Sequence, residues 1–275
     1  MFTDIMLHRM KLKAIFLELR GVMINDRSLQ ASLLTDLLLE ENLYLQKGEY
    51  ETLCQLADDR TGLKILLERR GRLADGNLLD SLLQRKAERF RDIFYNAETS
   101  IDSLNPTPSS SISPRYLSIS SQETVPEHSP FNSTFMLYPD VKDFLFKARA
   151  SSLKLAVITS TFRVEVDTIL DSCQLSSYFD AIVTGEQIQT QPIKPAAYLQ
   201  TIDVLNQQYP ALDLTIHDCL AIESNENHLQ AARAVGLTGV GITRCRPLHM
   251  LQRLADWTVD RLGDLELDRI NSLAP

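Results

Sequence analysis

The sequence predicts an α/β fold: a parallel sheet with helices on both faces, plus an inserted α-helical domain. Three observations predict it. From Tyr138 onward, short apolar runs alternate with stretches of helical period. A further apolar run, Lys13–Leu19 (KAIFLEL), stands far upstream and ends at Gly21. Between them lies a block whose leucines recur at helical spacing rather than in alternation.

Taken in order, Lys13–Leu19 reads as a buried strand closed by a tight turn. From Ser28 to Tyr95, Leu29, Leu33, Leu34, Leu37 and Leu38 share one helix face, and so do Leu63, Leu66 and Leu67. Leu78, Leu79, Leu82, Leu83, Phe90, Ile93 and Phe94 continue the pattern. About four helices are expected here, jointed at Gly48, Gly62 and Gly71–Gly76. Residues 97–135 change character: they are rich in serine and hold five of the eleven prolines, as in PTPSSSISP. That composition predicts a disordered insertion, a solvated linker whose Ser-Pro steps are open to phosphorylation. After it come a helix over Val141–Ala150 and a strand over Leu153–Thr159. A helix over Val164–Cys173 leads to a strand over Ala181–Thr184. A helix over Ala196–Gln208 leads to Cys219–Glu223, and one over Asn227–Val235 to Gly239–Ile242. With Lys13–Leu19 the sheet has at least five strands. The expected domains are therefore 1–24 with 136–275 as the α/β core and 25–96 as the helical insert.

Composition sets limits. The chain has 275 residues, 44% hydrophobic and 23% charged, enough for a sizeable core. A net charge of −8 argues against a broad basic surface for nucleic acid. No apolar run approaches a membrane span of about 18 residues. The four cysteines, Cys54, Cys173, Cys219 and Cys245, form no C-x-x-C pair and suit a reducing cytoplasm.

Open parallel sheets bind ligands beyond the carboxyl ends of their strands. That singles out Glu18, Arg20, Thr159, Ser160, Glu186, Glu223 and Ser224. The segments carrying them are KAIFLELRGVMIN, LYPDVKDFLFKARASSLKLAVITSTFR, YFDAIVTGEQIQTQPIKPAAYL and DCLAIESNENHLQAARAVGLTGVGI. In order and spacing they resemble the four motifs of the haloacid dehalogenase-like (HAD) phosphohydrolases, specifically the beta-phosphoglucomutase-like group with a helical cap. The resemblance covers nearly all of the chain except the Ser/Pro insertion, and implies a Rossmannoid core and a cap.

The resemblance also assigns roles. Glu18 stands where the family has its nucleophilic Asp, and Arg20 where it has its acid/base Asp. Thr159 matches the Ser/Thr that bonds the transferring phosphoryl group, with Ser160 beside it. Pro192 stands at the position of the Lys, with Lys194 displaced by two residues. Glu223–Ser224 replaces the acidic pair that holds magnesium, and His228 replaces a glycine at the start of the next helix.

Each change has a physical consequence. A Glu nucleophile is one methylene too long, and misplacement of about 1 Å can cost about 10²-fold. A guanidinium stays protonated and cannot act as acid/base. Magnesium favours oxygen ligands, and this site has lost a carboxylate while gaining a cation. Arg20 is expected to pair with Glu18 and Glu223 in the metal's place. Two functions are then open. One is a non-catalytic binding or regulatory module, with no cofactor, that takes a small phosphorylated ligand or a protein partner. The other is an active hydrolase using Glu18, Lys194 and Mg2+.

Overall fold

The computed structural model describes residues 11–50, 59–102, 136–188 and 195–267, with side chains placed outside 96–102 and 188. Lys194, Pro192 and nearly all of the Ser/Pro insertion lie outside the described residues.

The strands are β1 (Ala14–Leu17), β2 (Lys154–Ile158), β3 (Ala181–Val183), β4 (Cys219–Glu223), β5 (Thr238–Ile242) and β6 (Trp257–Val259). They form one sheet in the order β3-β2-β1-β4-β5-β6, with every neighbouring pair parallel. β1 is central and buried at every position, which is why AIFL is a continuous apolar run rather than an alternating one.

The helices are α1 (Arg27–Glu40), α2 (Asp59–Arg69), α3 (Gly76–Asp102), α4 (Val141–Ala150), α5 (Arg163–Ser172), α6 (Gly185–Ile188), α7 (Pro195–Gln208), α8 (Glu226–Ala234) and α9 (Leu248–Leu251). Strand parity sorts the core. Ala14, Phe16, Ala156, Ile158, Ala181, Val183, Cys219 and Ala221 pack with Ala197, Tyr198, Ile202 and Leu205 of α7 and with Ala231 and Ala232 of α8. The intervening positions, including Ile15, Leu17, Leu155, Val157, Leu220 and Ile222, are buried as well, so both faces of the sheet are covered. Helix α4 packs on β2.

The chain divides into two compact units. One comprises Met1–Ile24, Tyr138–Ser160 and Leu175–Pro275, and carries the sheet. The other comprises Asn25–Leu137 and Thr161–Gln174. In the second unit, Leu34, Leu37 and Leu38 of α1 join Leu63, Leu66 and Leu67 of α2 and Leu79, Leu82 and Leu83 of α3 in one leucine core. Gly62, expected as a joint, instead lies buried inside α2. The neighbouring leucines outweigh its low helix propensity.

Helix α5, expected among the core's helices, groups with this helical unit and packs on α3. A buried polar cluster accounts for it. Lys86 falls on the apolar stripe of α3 and lies 2.6 Å from Asp59 and 3.2 Å from Glu165 of α5. It also donates to Gln30, whose amide bridges Asp26 at 2.8 Å and Glu165 at 3.1 Å. Among the described residues, no helix is long and apolar enough to cross a membrane.

Candidate functional site

The chain steps outward from β1 through β2 to β3, then crosses back to β4 on the other side of β1 and steps outward through β5 to β6, so the topological switch point lies between β1 and β4. The register pairs Leu17 with Ile222, and the amide of Glu18 donates to the Ile222 carbonyl at 3.1 Å. Glu18 and Glu223 therefore follow side by side, both on the parity that faces α7 and α8. Both are buried, 4% and 0% exposed, so two carboxylates share a site with almost no water. Such a pair cannot stay ionised without a cation beside it.

The group set beside them is His228. It occupies the first turn of α8, on the same stripe as Leu229, Ala231 and Ala232, where the helical period turns it toward the sheet. Its Nδ1 lies 3.1 Å from Oε2 of Glu18 and 3.2 Å from Oε2 of Glu223. One N–H serves two oxygens. The hydrogen bond goes to Glu223, and Oε2 of Glu18 keeps a charge contact without an aligned donor. Burial works against a charged imidazole here. The contacts with Glu18 and Glu223, and their charges, outweigh it and raise the imidazole from 6.5 to about 10.

The remaining carboxylate oxygens are also engaged. Oε1 of Glu18 accepts from the Thr159 hydroxyl at 2.8 Å and from the Leu19 amide at 2.9 Å. Oε1 of Glu223 accepts from the Tyr198 hydroxyl at 2.7 Å, which also contacts the His228 carbonyl at 3.2 Å. Burial pushes the Tyr198 phenol well above its usual value, and the Glu223 charge adds to this. Burial likewise raises the Glu223 carboxyl, against the pull of His228.

The geometry corrects one expectation and extends the site. Arg20 was to be the cation bridging Glu18 and Glu223, and His228 is the group set between them. Arg20 falls beyond the strand end, where the backbone turns through Gly21 at φ +77°, and is partly exposed. Its carbonyl accepts from the Ser224 hydroxyl at 3.3 Å, which gives Ser224 a place in the turn. A Cβ on Gly21 would stand 2.4 Å from the Ser224 hydroxyl oxygen and 2.8 Å from the Cys245 sulfur, so only glycine fits. Arg244 braces this turn by donating to the Val22 carbonyl and to Asp140 while stacking on Tyr138. Ser160, partly exposed, closes the segment after β2.

Sequence reasoning missed Tyr198. Its signal was a tyrosine on the apolar stripe of α7, since a buried phenol needs a partner for its hydroxyl.

Glu18, Glu223 and His228 each offer a ligand atom within 4.8 Å of the others. As a holder for magnesium the set fits poorly. Magnesium takes octahedral oxygen ligands, whereas the third donor here is an imidazole nitrogen already seated between the two carboxylates. The next side chain, Ser224, offers a hydroxyl that is turned to the Arg20 carbonyl.

Comparison with known proteins agrees with this architecture. Residues 121–236 match the family model described as haloacid dehalogenase-like hydrolase. Phosphoglycolate phosphatase of Salmonella paratyphi A is 29% identical over 107 residues, 39% of this chain and 40% of the relative. Protein CbbY of Rhodobacter capsulatus is 32% identical over 104 residues, 37% of this chain and 43% of the relative. These matches span about two-fifths of the relatives' length. Among solved structures, beta-phosphoglucomutase from Clostridium difficile superposes with a TM-score of 0.68 at 14% identity, covering 95% of this chain and 96% of that one. CbbY from Rhodobacter sphaeroides, in complex with phosphate, gives 0.68 at 17% identity over 94% and 99%. Residues 121–236 thus resemble the haloacid dehalogenase-like hydrolases in sequence, and the chain shares the fold of these solved structures over nearly its whole length.

Proposed function

We propose that this chain is a non-hydrolytic member of the phosphohydrolase fold, acting as a binding or regulatory module for a small phosphorylated ligand. The observation that carries this reading is the state of Glu18. Its Oε1 is held by Thr159 and the Leu19 amide, and its Oε2 is set against His228, inside a buried site. Attack on phosphorus needs an exposed carboxylate oxygen held in line with the leaving group. It also needs a proton acceptor for the following step, and the acid/base position carries Arg20. The place of Arg20 at the strand ends, a residue type suited to phosphate, supports the ligand class. The matched relatives named phosphoglycolate phosphatase point to the same class.

One observation favours a second reading, an active hydrolase with Glu18 as nucleophile: Oε2 of Glu18 carries no aligned hydrogen bond. A single experiment separates the two. Phosphatase turnover is measured on a generic aryl phosphate and a panel of small phosphorylated metabolites, with magnesium, for the wild-type chain and for Glu18→Ala. The binding-module reading predicts no turnover above background that Glu18→Ala removes. Turnover abolished by that substitution would establish the hydrolase.

A further inference from the structure

We infer that His228 is a built-in cation that takes the place of a divalent metal ion between Glu18 and Glu223. His228 beside the two carboxylates and the Ser224 hydroxyl turned to the Arg20 carbonyl are then two parts of one arrangement.

The β1–β4 register sets Glu18 and Glu223 next to each other on one face, in a site that excludes water. In that setting two ionised carboxylates repel strongly and require a positive charge close to both. A bound metal ion is one solution and a protonated side chain is another. Here Nδ1 of His228 sits 3.1 Å from one oxygen and 3.2 Å from the other. An ion bonded to those same oxygens would meet Nδ1, so it could enter only by displacing the imidazole or by making it a ligand. The position of His228 is itself fixed. Asn225 caps the start of α8 by accepting from the Asn227 amide at 2.8 Å. Tyr198 holds Glu223 and the His228 carbonyl together through one hydroxyl. Ser224 has turned its hydroxyl to the Arg20 carbonyl instead of contributing to an oxygen cage. The ring of charge is therefore closed by the chain's own atoms, and it stays closed whether or not Glu18 retains any reactivity.

The test uses the full chain and thermal unfolding in Mg2+, Mn2+ or Zn2+ at millimolar concentration, against the same buffer with chelator. Wild-type Tm is expected to be the same in all four. His228→Ala is expected to lower Tm by about 10 °C, the size expected for an uncompensated buried charge. Added Mg2+ or Mn2+ should recover part of the loss, because an ion that binds only the folded state stabilises it. If His228→Ala does not fold, Glu223→Gln combined with His228→Gln, which removes one negative charge together with the cation, is expected to fold with a metal-independent Tm. Saturable stabilisation of the wild type by any of the three ions would overturn the inference and make His228 a metal ligand. So would a His228→Ala chain that keeps wild-type Tm or gains nothing from any ion, or a double variant that also fails to fold. None of these readings depends on phosphatase turnover, so failure here is distinct from failure of the binding-module reading.

Discussion

Raising the pH should weaken this fold through the His228 cluster. In the folded chain the imidazole is raised from 6.5 to about 10. Its stabilising contribution is present in full below about 6.5 and is lost as the pH rises toward about 10. Inside that window the folded chain holds one proton that the unfolded chain has released. Stability then falls by about 1.4 kcal/mol per pH unit, whatever the upper limit of the window. The groups facing the ring are Glu18 from β1, Glu223 from β4 and Tyr198 from α7. Burial also raises the Glu223 carboxyl, and it raises the Cys219 thiol from 9.0 to about 12; both add losses of the same sign, the thiol's near and above pH 9. The measurement is therefore confined to about pH 7.5–8.5, where the expected loss of about 1.4 kcal/mol corresponds to a Tm change of about 3–5 °C. Urea unfolding at constant ionic strength reads it directly, with His228→Gln as reference. A wild-type curve that is flat over this interval, or a His228→Gln curve of the same slope, would refute a protonated imidazole between the carboxylates.

Three substitutions probe the supports of the site and of the helical unit. Tyr198→Phe removes the hydroxyl that donates to Glu223 at 2.7 Å and should cost about 2 kcal/mol in urea unfolding; an unchanged midpoint would remove Tyr198 from the network. Gly21→Ala forces a Cβ to within 2.4 Å of the Ser224 oxygen at a φ of +77°. It should destabilise by more than about 1 kcal/mol, with partial relief from Ser224→Gly on the same chain; additive losses would contradict the close approach. Lys86→Met removes the cation beside the buried Glu165 and the partly exposed Asp59 and should cost about 3 kcal/mol, partly regained when Glu165→Gln is added. If the two losses simply add in the double-mutant cycle, the two residues are not coupled.

Much of the architecture was legible in the sequence because it is written in local patterns. The run AIFL, the leucine stripes of α1 to α3 and the later strand–helix alternation each fix an element by its period. The carboxyl ends of β1, β2 and β4 then bring Glu18, Thr159 and Glu223 together, as their shared place at strand ends implies. What the sequence hid was pairing across space. Arg20 stands two residues from Glu18 and looked like its natural partner. Face parity and the first turn of α8 instead bring in His228, far away in the chain. The same holds for α5, where one buried contact between Glu165 and Lys86 outweighs the chain order that placed the helix among those of the sheet. Gly62 was misread because a glycine inside a leucine-rich helix carries the same local signal as a joint.

The most direct test of the central claim is a crystal structure of the wild-type chain grown at neutral pH in a high concentration of magnesium chloride. The account predicts the His228 imidazole in density between Glu18 and Glu223, close to both carboxylates, with no ion among them. An octahedral ion bonded to Glu18 and Glu223, with the His228 ring swung out of the cluster, would contradict it.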